Sequence, residues 1–135
     1  MTTRKTIGVV IAVMVTGAVG SLAAQAPAFK RTILQQVDLS STPGREAVTA
    51  MAEFPPGSET GRHTHPGEEI SYVELGPLVL EVDGQPARTL KTGEALMVPA
   101  GVIHNAHPVA GSSAKVIATY IIEKGKPPTS PAPAK

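Results

Sequence analysis

The sequence predicts an all-β fold closed into a small barrel or sandwich, and three observations carry that expectation. Apolar runs are short, alternating and often β-branched. Turn formers interrupt them at close, even spacing, as at Pro55-Pro56-Gly57, Gly76-Pro77 and Pro99-Ala100-Gly101. At 135 residues the chain has room for one domain, and closure of its sheet removes the exposed edges that a small β protein must manage.

Along the chain, Arg4 and Lys5 precede a charge-free run from Ile7 to about Ala24 that ends in small residues. This pattern reads as a signal peptide over 1–23, cleaved after Ala23, and so as secretion, to a bacterial periplasm. Cleavage removes any stable membrane insertion. Residues 24–46 hold an N-terminal strand, Phe29 to Leu39, and a loop at Ser40-Ser41-Thr42-Pro43-Gly44. The barrel is expected over 47–123, with strands at Ala47–Phe54, Ile70–Val73, Leu78–Val82, Ala95–Val98 and Lys115–Ile122. Asp83-Gly84 marks a two-residue hairpin turn. Residues 124–135, with Pro127, Pro128, Pro131 and Pro133, are expected to form a disordered, solvated tail of polyproline character.

Composition narrows the function. Twelve basic residues stand against eleven acidic ones, and two of the basic ones, Arg4 and Lys5, belong to the signal, so no nucleic-acid partner is implied. Cysteine is absent, which leaves nitrogen and oxygen donors for any metal. His63 and His65 are two apart, so on an extended segment both imidazoles leave the same face. Glu69 follows at an even offset beyond Pro66-Gly67, with Glu68 as the alternative. His104 lies far along the chain and must arrive from another strand. Three imidazoles and a carboxylate suit one divalent ion and leave coordination positions open for water or a chelating ligand. His107, an odd step from His104, should face the other way. Ser71 and Val73 share the parity of Glu69 and are expected to line the cavity, with Met51 and Met97 on its wall.

These residues resemble the two motifs of the cupin family. Gly57, His63, His65, Glu69 and Gly76 stand at the spacing of the first motif, and Gly93, Pro99, Gly101 and His104 at that of the second. Pro108 occupies the second motif's final Asn position, with Asn105 nearby. The resemblance, spanning about Ala47 to Tyr120, implies a double-stranded β-helix (jelly-roll) barrel. It implies one divalent metal ion on His63, His65, Glu69 and His104, with iron or manganese favoured over zinc, nickel or copper. Members of the family include dioxygenases, isomerases, decarboxylases and non-catalytic binders. The leading expectation is therefore a metal-dependent, dioxygenase-like oxidoreductase acting on a small oxygen-rich molecule, with Glu69 as ligand and catalytic base. The other is a non-catalytic small-molecule or metal-binding module that senses its ligand. By analogy the family also implies a homodimer.

Overall fold

A computed structural model describes residues 28–135; the segment read as a signal lies outside them. The described residues form ten strands and no helix: β1 (Lys30–Asp38), β2 (Arg45–Phe54), β3 (His63–Thr64), β4 (Glu68–Leu75), β5 (Leu78–Val82), β6 (Arg88–Leu90), β7 (Ala95–Val98), β8 (His104–Pro108), β9 (Ala114–Glu123) and β10 (Ser130–Pro131). They build two five-stranded antiparallel sheets, β1-β2-β9-β4-β7 and β10-β3-β8-β5-β6. This is the all-β jelly roll expected from the sequence.

Period-two alternation decides which side chains meet between the sheets. On β2, Ala50, Ala52 and Phe54 are buried, and on β9 so are Ala114, Val116, Ala118, Tyr120 and Ile122. Val73, Leu78, Leu80, Leu90, Leu96 and Val98 complete the core. Each large side chain so buried contributes roughly 1.5–3 kcal/mol. The same alternation corrects the expectation for two methionines. Met97 lies between buried Leu96 and Val98 and is exposed, and Met51 lies between buried Ala50 and Ala52 on the outward side of β2.

Two glycines fix the path of the loops that flank His65 and His104. A Cβ on Gly67 would collide with the Ile121 carbonyl, so only glycine lets the loop between β3 and β4 pass against β9. Gly101, at φ 73°, turns the chain after Pro99 and donates its N–H to the His65 carbonyl at 2.9 Å, which ties the loop before β8 to the loop after β3.

The C-terminal segment departs from the solvated tail expected of 124–135. Ser130 and Pro131 pair with Thr64 and His63 as strand β10, the Ala132 N–H donates to the Arg62 carbonyl at 2.9 Å, and Arg62 Nε donates to the Pro133 carbonyl at 2.9 Å. Arg62 itself is held by a two-pronged ion pair with Asp83 at 2.5 and 2.7 Å, and Lys135 adds a contact to Asp83 at 3.3 Å. Proline prevents the segment from donating in a sheet interior but permits it as an edge strand.

Candidate metal centre

His63 on β3 faces His104 on β8 across the sheet, His65 follows two residues after His63, and Glu69 enters from β4 beside Tyr120 of β9. One potential ligand atom from each of the four lies within 4.8 Å of the others. The three histidines are buried. Glu68, the alternative ligand, faces outward on β4, and His107 lies away from the cluster, half-exposed, 3.9 Å from Glu81.

Each imidazole is fixed by a backbone carbonyl. His63 Nδ1 is 2.8 Å from the Gly61 carbonyl, His104 Nδ1 is 2.9 Å from that of Val102, and His65 Nδ1 is 2.6 Å from that of Pro128. A carbonyl oxygen only accepts, so each Nδ1 carries the proton and donates. In a neutral ring this leaves Nε2 as a bare lone pair. The carboxylate is positioned in the same way: Ser71 Oγ donates to Glu69 Oε1 at 2.6 Å, while Glu69 Oε2 turns toward His65 Nε2 at 2.8 Å and His104 Nε2 at 3.3 Å.

Lone pairs facing a carboxylate repel unless a cation stands between them. His65 Nε2, although close to Glu69, is buried without an aligned hydrogen-bond partner, an arrangement that costs energy until a proton or a metal ion fills it. Two donors each about 2.1 Å from one ion stand roughly 3–4 Å apart, close to the spacing observed. The His63, His65, Glu69 and His104 cluster therefore could bind a metal ion, and backbone-capped imidazoles are the arrangement that raises ligand basicity and fixes the tautomer.

Burial tunes the groups. Desolvation lowers His63 to about 4, against a smaller opposing pull from the Gly61 carbonyl, so the ring stays neutral and available at pH 7. Burial pushes the Glu69 carboxyl up, but hydrogen bonds from His104 and His65, which require a proton on Nε2 and so a charged ring, together with the Ser71 hydroxyl outweigh this and hold it well below the usual carboxylate range. Tyr120, packed on the His65 ring with centroids 4.5 Å apart, is pushed up to about 12 by burial and stays a neutral phenol.

A cavity of about 30 Å³ opens beside the cluster, walled by Phe54, Leu78, Leu80 and Leu96. Ser71 and Val73 are buried with the parity expected of them but do not line the cavity; Ser71 is turned to Glu69 instead, and the wall takes Arg31, Thr60 and Tyr120, which no spacing in the sequence marks. Asn105, beside the Pro108 departure, is buried; its amide donates to Glu59 at 2.7 Å and Glu81 at 3.1 Å, and its carbonyl accepts from Thr60 at 3.1 Å. Hydrogen bonding next to His104 is thus present, supplied from a different position.

Residues 50–120 match the family model described as Cupin domain. No curated protein matches the chain. Among solved structures, it is similar to a cupin-like protein from Thermotoga maritima MSB8 (24% identity, 77% of this chain and 75% of that one, TM-score 0.65). It is also similar to a cupin domain from Bordetella pertussis Tohama I (27%, 73% and 97%, TM-score 0.56) and to the polyketide cyclase RemF from Streptomyces resistomycificus (23%, 79% and 72%, TM-score 0.61).

Proposed function

The chain belongs to the cupin family, and from that premise we propose that it is an exported, metal-dependent oxidoreductase of the dioxygenase type acting on a small oxygen-rich molecule. The observation that carries this reading is the convergence of three backbone-fixed imidazoles and one carboxylate, of which His63, Glu69 and His104 line a cavity. The likeness to a polyketide cyclase carries the fold alone, so the reaction is argued from the site.

A bound divalent ion would supply Lewis-acid polarisation of a chelated substrate oxygen and a place for dioxygen. His63, His65 and His104 hold the ion, and iron or manganese are the metals proposed for this nitrogen and oxygen donor set, which also accepts zinc, nickel or copper. Glu69 balances charge with one oxygen held by Ser71 and the other turned to the ligand nitrogens; to take a proton from the substrate, that second oxygen would have to leave the ion. Phe54, Leu78, Leu80 and Leu96 keep water from the reacting face.

A second reading, a non-catalytic ligand-binding or sensing module, is favoured by one observation: apart from the ligands, Tyr120 and Arg31, no titratable group lines the cavity among the described residues. Export to the periplasm rests on the 1–23 pattern, and no helix of the described residues is long and apolar enough to cross a membrane. A homodimer is supported by the exposed apolar outer face of β4 and β7, with Ile70, Tyr72 and Met97.

The test is elemental mass spectrometry of the chain from Ala24, purified without chelators, beside a His63→Ala/His104→Ala variant. Near-stoichiometric metal in the wild type and none in the variant is the expected result. Absence of metal after reconstitution would sink the proposal. Oxygen uptake in a screen of small diols, hydroxy acids and enols then separates enzyme from binder.

A further inference from the structure

One charged side chain on the cavity wall takes no part in holding the ion. Arg31 comes from β1, far from the motif residues, and reaches the cavity beside His63, Glu69 and His104. Its Nη1 donates to Thr129 Oγ1 at 3.1 Å. Its guanidinium carbon lies 5.2 Å from the ring centre of Phe29 and 5.6 Å from that of Tyr120. Its Nε is buried without a hydrogen-bond partner among the described residues.

This placement is unfavourable as it stands. A buried N–H of a charged group left unpaired costs free energy, and a guanidinium beside a metal ion adds like charge. Among the described residues Glu69 is the sole carboxylate lining the cavity, and its oxygens are turned to Ser71, His65 and His104. With a divalent ion bound, the one carboxylate leaves a net positive charge, and Arg31 adds a second. An anion satisfies both. The planar guanidinium presents parallel N–H groups that match the two oxygens of a carboxylate, and the aromatic faces of Phe29 and Tyr120 hold its plane in place. The cavity, about 30 Å³ against roughly 10–15 Å³ for one water on the same measure, favours a small ligand.

We propose that Arg31 anchors the carboxylate of the ligand, so that the site takes small carboxylates whose adjacent oxygen reaches the ion. This rests on the metal reading above and names the substrate class within it. Arg31 is then the specificity-determining residue, and Thr129 positions it from the C-terminal segment.

The test titrates the cobalt-loaded chain with pyruvate, acetate and the neutral isostere acetamide, following the visible absorption of cobalt, in wild type, Arg31→Gln and Arg31→Lys. Pyruvate should bind more tightly than acetate, and acetamide weakly or not at all. Arg31→Gln should keep one cobalt per chain and bind pyruvate roughly ten-fold or more weakly, as loss of a charged, two-pronged contact predicts, with Arg31→Lys in between. Equal pyruvate affinity in wild type and Arg31→Gln, or acetamide bound as well as acetate, would overturn the proposal. If Arg31→Gln fails to fold, Thr129→Val, which removes only the hydroxyl that orients the guanidinium, gives the same comparison. Failure of the wild type to take up cobalt would overturn the metal reading instead; calorimetry of pyruvate on the metal-free wild type and Arg31→Gln then decides the role of Arg31.

Discussion

His65 is held by a carbonyl behind Nδ1 and faces Glu69 across Nε2, and the carboxylate in turn leans on Ser71. Removing that support should show in metal affinity without loss of a ligand. Ser71→Ala is expected to weaken cobalt or zinc binding roughly ten-fold, measured by chelator competition. The buried His63 makes a separate prediction for the metal-free chain. Its pKa is lowered to about 4 from an unfolded value near 6.5, so between those pH values the unfolded chain binds more protons. Stability is therefore complete above about 6.5 and falls as pH drops toward 4. The lowered Glu69 acts in the same sense at more acid pH, its contribution being present above its unfolded pKa and lost as pH falls through the folded one. Thermal melts of the metal-free protein should show a midpoint roughly 5–10 °C lower at pH 4.5 than at pH 7, and His63→Asn should flatten that dependence.

At the scale of elements, the C-terminal segment and the metal-site loops behave as one piece. Pro128 accepts from His65 and Thr129 from Arg31, so two consecutive residues steady two groups at the cavity. A chain ending at Gly125 should still bind metal but release it to a chelator roughly ten times faster, which stopped-flow mixing with a colorimetric chelator measures. The long strands were legible in the sequence, because alternation over β2, β4 and β9 is local information. The parity of His63, His65 and Glu69 was legible for the same reason. The docking of 124–135 was not. A composition argument asks what a segment can bury by itself, whereas this one takes its hydrogen bonds from Arg62, His65 and Arg31. Arg31 and Thr60 carry no local signal on similar grounds, since the pairing of β1 with β2 brings the first to the cavity and hydrogen bonds to Ala106 bring the loop residue Thr60. Met51 and Met97 read as wall residues by hydrophobicity, whereas strand parity sends both outward.

For the molecule as a whole, the candidate ligands come from both sheets: His63 and His104 belong to β3 and β8 of one, and Glu69 to β4 of the other. An ion there stabilises only the arrangement in which the sheets face each other. At a hundred-fold excess over its dissociation constant, a metal ion should raise the thermal midpoint by roughly 10 °C. Differential scanning fluorimetry should show that rise in the wild type and not in His104→Ala. The chain has no cysteine, so no covalent bridge shortens its unfolded state. An ion held by His65 and His104 joins parts of the chain as distant in sequence as a bridge would, but it is released on unfolding, so it stabilises by mass action on the folded state rather than by restricting the unfolded one. Oxidising and reducing surroundings would leave such a link untouched, whereas a chelator would cut it.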